Sequence, residues 1–362
     1  MKFIHTADLH LDAPFAYLPF EKQTLKRRAL RQALTDAVDS ALSNQASALI
    51  IAGDLFNSPD PSADTTAFVV GELGRLAERA QVLIVPGNHD FYQPGGVWDA
   101  VWPEHVQIFR QDKWVTGQLP EGGATVAAIA CHRGGTQRNV LKELTGQSVA
   151  VAMMHGAHKL GFYEGQQCYP FSQEEAAGLL VGYIALGHYH NFSRVPKSSA
   201  YYCGTPEGLC FDEPGRRSVV LVELGASTAK VSQVATGRYL FNQHQLDCTA
   251  LSASSELEAA AGALGGAEDL VRIDLTGTPP LSLEADAEAL AVRLADNFFF
   301  LDIKDRLDLP PDEFPAGDRT VKAQFWARMQ AKLADADGDE AKHVINLATR
   351  LGLAALEGRS AK

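Results

Sequence analysis

Five short polar clusters recur along the first half of this sequence: Asp8-Leu9-His10, Gly53-Asp54, Gly87-Asn88-His89-Asp90, His155, and Gly187-His188-Tyr189-His190. Carboxylate, amide and imidazole groups are ligands for divalent cations. A mixed nitrogen and oxygen set suits Mn²⁺, Fe²⁺ or Zn²⁺ better than the all-oxygen shells of Mg²⁺ or Ca²⁺. Taken singly, D-x-H or H-x-H is weak, because a lone histidine at a strand end is usually a satisfied surface or core residue. Their position gives them weight, since each cluster directly follows an apolar run of strand type. Ligands of open α/β sheets bind outside the carboxyl ends of the strands. Five strand ends would therefore deliver Asp, His, Asp, Asn, His, His and His to one rim.

The elements that must position these groups can be read from periodicity. Lys2–Ala7, Ala48–Ala52, Gln81–Val85, Val149–Met154 and Tyr183–Leu186 read as strands, with further candidates at Val126–Ala130, Tyr201–Cys203 and Val219–Leu224. Between the first three, Glu21–Leu42 repeats apolar residues at Leu30, Leu34, Ala37, Val38 and Ala41, and a second helical stretch covers Ala63–Ala80. Strands alternating with helices predict an α/β layered fold with at least part of one sheet parallel. After Phe241 the composition shifts to Ala, Leu and acids. Strand-like runs Leu270–Leu275 and Phe298–Ile303 flank a helix expected over Leu283–Asn297, which reads as a small α+β unit. Pro310-Pro311 and Pro315 mark a linker. Beyond it, Val321, Phe325, Met329 and Leu333, then Val344, Ala348, Leu351 and Ala355, predict two amphipathic helices joined by an Asp/Gly turn.

The same residues carry a family resemblance. D-x-H, G-D, G-N-H-D, a lone His and G-H-x-H, over roughly residues 1–225, resemble the calcineurin-like metallophosphoesterases. The strings HTADLHLD, GDLF, GNHD, YIALGHYH and GTPEGLCFDE look more specifically like the bacterial SbcD-type DNA repair nucleases, nearest to their YhaO-like branch. The resemblance implies a layered β-sandwich flanked by helices, with a small α+β cap and C-terminal helices. It divides the chain into a nuclease domain (1–240), a capping domain (241–312) and a C-terminal helix-loop-helix (313–362). It also implies two divalent cations, Mn²⁺ first with Fe²⁺ or Zn²⁺ as alternatives, sharing Asp54. Asp8, His10 and His190 would complete one site, and Asn88, His155 and His188 the other. A bridging carboxylate holds two cations about 3.5–4 Å apart, where they clamp the attacking and leaving oxygens of an in-line displacement and acidify a trapped water. His89 would then stabilise or protonate the leaving oxygen, with a silent imidazole, or a ligand in place of Asn88, as the alternatives. Asp90 is a candidate partner behind the ligands. Some nucleases of this family carry His directly after GDLF, where this chain has Asn57.

Composition narrows the class. The 362 residues are 46% hydrophobic and 21% charged, which excludes wholesale disorder and collagen-like repeats. No apolar run approaches the roughly 18 residues of a membrane span, and residues 1–6 lack the apolar region of a signal peptide. A cytoplasmic protein is expected. Five cysteines without a C-x-x-C pair read as reduced thiols. The formal net charge is −12, of which residues 244–362 carry −9, from 21 Asp and Glu against 12 Lys and Arg. The remainder is near neutral, so a phosphate-bearing substrate is not excluded there.

For nucleic acid the sequence offers Lys26-Arg27-Arg28, Arg31, Arg133, Arg138, Lys159, Arg194, Lys197 and Arg216-Arg217. It also offers loop aromatics Phe15, Tyr17, Phe56, Phe91, Tyr92, Trp98, Phe162 and Tyr163. A solvated helix face is the plainer reading of Lys26–Arg31. Three functions stand: a Mn²⁺-dependent DNA exo- or endonuclease working with an SbcC-type coiled-coil ATPase, a phosphodiesterase or phosphatase on nucleotides or small esters, and a DNA-end or ATPase-binding scaffold with weak catalysis. The resemblance also implies a symmetric dimer. The C-terminal helices either pack on the body or dock the ATPase.

Overall fold

The computed structural model describes residues 1–120, 124–132, 138–158, 168–225, 229–280, 282–283, 285–309, 314 and 317–357. Arg133, Lys159, Phe162, Tyr163, Pro310, Pro311 and Pro315 lie outside the described residues. The chain divides into two compact units, Met1–Leu240 and Phe241–Lys362.

The first unit opens with β1 (Lys2–Thr6), α1 (Phe20–Ser43), β2 (Ala48–Ala52), α2 (Ala63–Gly74) and β3 (Gln81–Val85). It continues with β4 (Val106–Ile108), β5 (Val115–Gln118), β6 (Thr125–Ile129), β7 (Val149–His155), α3 (Gln173–Ala177) and β8 (Val181–Gly187). It closes with β9 (Ser193–Arg194), β10 (Ala200–Tyr202), β11 (Arg217–Leu224) and β12 (Ala229–Thr236). Two six-stranded sheets result, ordered β12-β11-β1-β2-β3-β4 and β5-β6-β7-β8-β10-β9. Their inner faces share one core, in which Phe3, Ile50 and Leu83 of the first sheet meet Val126, Val151, Met153 and Tyr183 of the second. Every residue of β2 is buried. A run of Leu and Ile in such a place contributes on the order of 1.5–3 kcal/mol per side chain. The architecture is the expected mixed α/β sandwich flanked by helices.

Parallel register aligns the motifs. β1, β2 and β3 run parallel, Phe3 facing Ala48 and Ala48 facing Gln81, so the segments after all three leave at one edge. In the second sheet β7 and β8 run parallel, and His155 stands opposite Gly187. α1 turns its small apolar face, Ala29 through Ala41, into the core. Lys26 lies on that face too. It is fully buried, its ammonium bonded to Glu207 Oε1 and, at 2.8 Å, to the carbonyl of Gly208. The expectation that Lys26 belongs to a solvated basic face is therefore corrected: it is a buried counter-ion, unavailable to a phosphate. Arg217 is also buried, donating to Thr205 O, Asn191 Oδ1 and His190 O. Phe56 and Trp98 are core residues, not loop platforms.

Cysteine use also departs from expectation. Cys131, just past β6, and Cys168 form a disulfide, while Cys203, Cys210 and Cys248 are free. Burial side by side is what periodicity cannot show: Cys131 donates its N–H to Pro86 O, and Cys168 O accepts from Ala157 N, just past β7.

The second unit holds β13 (Leu240–Asp247), α4 (Ser254–Gly262), β14 (Asp269–Thr276), α5 (Ala287–Arg293), β15 (Phe300–Asp305), α6 (Val321–Ala334) and α7 (Asp339–Leu356). β14 and β15 are parallel, and β13 completes a three-stranded sheet. The helix expected over Leu283–Asn297 is shorter, because Asp286 caps it by accepting from Ala289 N. Both terminal helices form, but the expected apolar stripes do not set what is buried. α6 buries Ala323 and Trp326 and leaves Val321 70% exposed. α7 buries Asn346, Thr349 and Leu353, with Val344 and Leu351 outward. Asn346 bonds Asp308 Oδ1 at 3.0 Å and Arg350 pairs with Asp305. These polar anchors set the rotation of the helix. Among the described residues no helix is long and apolar enough to cross a membrane.

Candidate metal centre

After β1, β2 and β8 the chain turns sharply, and the backbone does the turning at the motif residues themselves. Asp8, His10, Asp54 and His188 all have positive φ (54°, 45°, 50° and 105°), a region that costs non-glycine residues energy unless the surroundings over-determine it. They do so here. Asp8 N donates to Gly53 O, His10 N to Asp54 O and Leu11 N to Leu55 O, each at 3.0 Å, which zips the loop after β1 to the loop after β2. Gly53 has φ 98°, and a Cβ there would sit 2.3 Å from His155 Nδ1. Gly87 has no room either, since its Cβ would lie 2.1 Å from Asp54 Oδ1. Both glycines let a backbone approach a ligand side chain closely.

The seven expected ligands converge. Asp8, His10 and His190 offer ligand atoms within 4.8 Å of one another, as do Asp8, Asp54 and His155, and also His10, Asp54 and His89. Asn88 Oδ1 lies 2.8 Å from His155 Nε2 and 3.1 Å from His188 Nδ1. Asp8, Asp54 and His155 are buried, and His10 is 3% exposed.

Electrostatics test whether a cation fits. Burial drives the His10 imidazole down to about 4 and that of His188 to about 3, so both are neutral and able to ligate. Burial pushes Asp8 up against the pull of His155 and His190. Burial also works to raise Asp54, but His155, His10 and His89 outweigh it and hold this carboxyl well below the usual range. His155 runs the other way: burial opposes its protonation, yet Asp54 and Asp8 lift it to about 9. A cation beside Asp54 and Asp8 would take the place of that proton, with His155 Nδ1 facing Ala52 O and Nε2 left to ligate. Among the described residues His10 Nε2 is buried with no hydrogen-bond partner, although Asp54 Oδ2 is 3.6 Å away. A divalent cation between such a nitrogen and the carboxylate would satisfy both. The donor set fits divalent cations.

The remaining groups surround this cluster. His89 is exposed, its N–H donates to Asp54 Oδ1 at 2.8 Å, and its ring centroid lies 4.7 Å from that of His10. Asp90 is fully buried and accepts from Phe56 N at 3.0 Å and Gly87 N at 2.6 Å. It ties the GDLF and GNHD turns together rather than contacting a ligand side chain. Burial first, then the Asp54 charge, push its carboxyl up to about 7.

Sequence reasoning missed two partners. Glu213 Oε1 lies 2.6 Å from His190 Nδ1, and its other oxygen accepts from Leu209 N at 2.7 Å. Burial opposes ionisation of Glu213, but the His190 contact brings its carboxyl below the usual range. Asn57 Oδ1 lies 3.3 Å from His10 Nδ1. Both side chains engage Nδ1 and leave Nε2 to the cluster. The string GTPEGLCFDE contained the signal for Glu213. A cleft of about 890 Å³ opens over the cluster, lined by His10, Asp54, Asn57, Asn88, His89, His188, His190 and Glu213 together with Phe15, Tyr17, Asn191 and Leu209.

A sandwich whose parallel strand ends gather a buried carboxylate, amide and imidazole cluster defines a metal-dependent phosphoesterase architecture. The model of the calcineurin-like phosphoesterase family matches residues 1–192, and the chain belongs to that family. It is 28% identical over 240 residues to the uncharacterized metallophosphoesterase YhaO of Bacillus subtilis (strain 168), covering 62% of this chain and 57% of that protein. It is 22% identical over 259 residues to the DNA double-strand break repair protein Mre11 of Methanosarcina mazei, covering 68% of this chain and 40% of that one. The chain thus spans little more than half, or less, of the curated relatives it matches. Among solved structures, the protein TT1561 of Thermus thermophilus aligns with 15% identity and a TM-score of 0.36, over 64% of this chain and 98% of that one.

Proposed function

We propose that this chain is a dinuclear, Mn²⁺-dependent phosphodiesterase acting on DNA as an exo- or endonuclease. One observation carries the reading: the buried Asp54 offers a carboxylate oxygen within 4.8 Å of ligand atoms of His10 and the exposed His89 in one group and of Asp8 and His155 in another, at the floor of an open cleft. Bound cations would supply countercharge to the phosphate and acidify a water. Asp54 would be shared by both, with Asp8, His10 and His190 on one side and Asn88, His155 and His188 on the other. The mixed donor set favours Mn²⁺ over Mg²⁺. His89 would donate a hydrogen bond, and then its proton, to the leaving oxygen. The main-chain bond from His89 to Asp54 fixes its place. Likeness to a DNA double-strand break repair protein supports DNA as substrate, and the resemblance of the motifs to SbcD-type nucleases supports an SbcC-type ATPase as partner.

The test is cleavage by metal-stripped protein with and without Mn²⁺, on end-labelled duplex, single strand and a chromogenic diester. Mn²⁺-dependent DNA cleavage is expected, falling about 10²–10⁴-fold in His89→Ala while metal binding persists. Unchanged cleavage in that variant sinks the mechanism. Turnover of the small ester alone, even with the ATPase added, moves the reading to a nucleotide or small-ester phosphodiesterase.

A further inference from the structure

The cleft continues beyond the ligand cluster onto Phe15, Tyr17 and Leu209. Phe15 is buried, and its ring centroid lies 6.4 Å from that of Tyr17 with the planes at 78°. Tyr17 is 45% exposed, and its hydroxyl donates to the carbonyl of Leu209 at 2.9 Å. The ring is therefore pinned at its tip between two loops, which removes the conformational cost of ordering it around a ligand. Among the described residues lining the cleft none is Lys or Arg. These described walls offer stacking and hydrogen bonding, rather than fixed cations, to the rest of a substrate. The volume of about 890 Å³ falls among sites for single small ligands, roughly 300–1,000 Å³.

We propose that this wall is a nucleoside subsite, in which the base of the nucleotide whose phosphate meets the ligand cluster stacks on Tyr17. The inference rests on the phosphodiesterase reading and adds its substrate class: nucleotide esters with an unpaired base, as at the end of a single strand. Asn191, which also lines the cleft, brings an amide able to bond a base edge or sugar hydroxyl.

Calorimetric titration of the Mn²⁺-loaded full chain with thymidine 5′-monophosphate and with 2-deoxyribose 5-phosphate isolates the base. Stacking on an aromatic ring predicts that the nucleotide binds about 5- to 100-fold more tightly. Tyr17→Leu should bring the ratio close to one. Tyr17→Phe, which keeps the ring and loses the bond to Leu209, should retain most of it. Equal affinities, or a preference that survives Tyr17→Leu, overturn the subsite. Mn²⁺-dependent cleavage of an end-labelled single strand and of methyl 4-nitrophenyl phosphate by the same preparation is read separately, and the absence of both overturns the phosphodiesterase reading whatever the binding ratio.

Discussion

A histidine ligates through one nitrogen, and the partner of the other decides which tautomer is present. His190 is held by a carboxylate, Glu213, and His10 by an amide, Asn57, whereas His155 Nδ1 lies 3.1 Å from a main-chain oxygen, Ala52 O. Only the first of these adds negative charge behind the ring. Glu213→Ala should weaken Mn²⁺ binding about 10- to 100-fold, read by titration followed with electron paramagnetic resonance. Glu213→Gln, which can still accept from Nδ1, should recover part of that loss. Unaltered binding in the alanine variant would reduce Glu213 to a loop strut. The expected ligands stood out because each follows an apolar strand, all but the lone His155 inside a two- to four-residue motif. Glu213 was less legible, lying 23 residues from its histidine beyond β9 and β10. Lys26 was misread for the same reason. Its type says surface, and the carboxylate that lets it be buried is 181 residues away.

Strands with continuous apolar runs were legible, and their order of appearance gave the parallel core. β4 and β5 have three and four residues, too short for a period to register. β12 and β13 are largely polar edge strands whose partners, not their own pattern, make them strands. α7 shows the converse: its period was right and its facing was not, because Asn346 and Arg350 bond Asp308 and Asp305. What is left outward is an apolar face with Val344 57%, Leu351 46% and Leu356 43% exposed. Such a face suits the groove of a helical partner, which supports the proposed ATPase contact. Leu351→Asp should abolish co-purification with a coiled-coil ATPase, while the unfolding free energy in urea stays within about 0.5 kcal/mol of the parent. Co-purification undiminished by that change would place the contact elsewhere.

Across the whole molecule the charge of −12 and a cleft with no Lys or Arg among its described lining residues have a joint consequence for ionic strength. A protein that grips DNA with six to ten basic side chains gives a log–log plot of affinity against salt with a slope of about −5 to −9. In the proposed mechanism the attraction would be concentrated in cations in direct contact with one phosphate, well inside the Debye length of about 10 Å at 0.1 M salt. The rest of the acidic chain repels a polyanion, and added salt screens that repulsion. Oligonucleotide affinity measured between 50 and 500 mM KCl, on the order of one decade of salt around that regime, should therefore be flat or rise slightly. A steeply falling plot would mean a basic track outside the cleft carries the strand. A flat one would describe an enzyme that holds its polymer by the end and lets the remainder go.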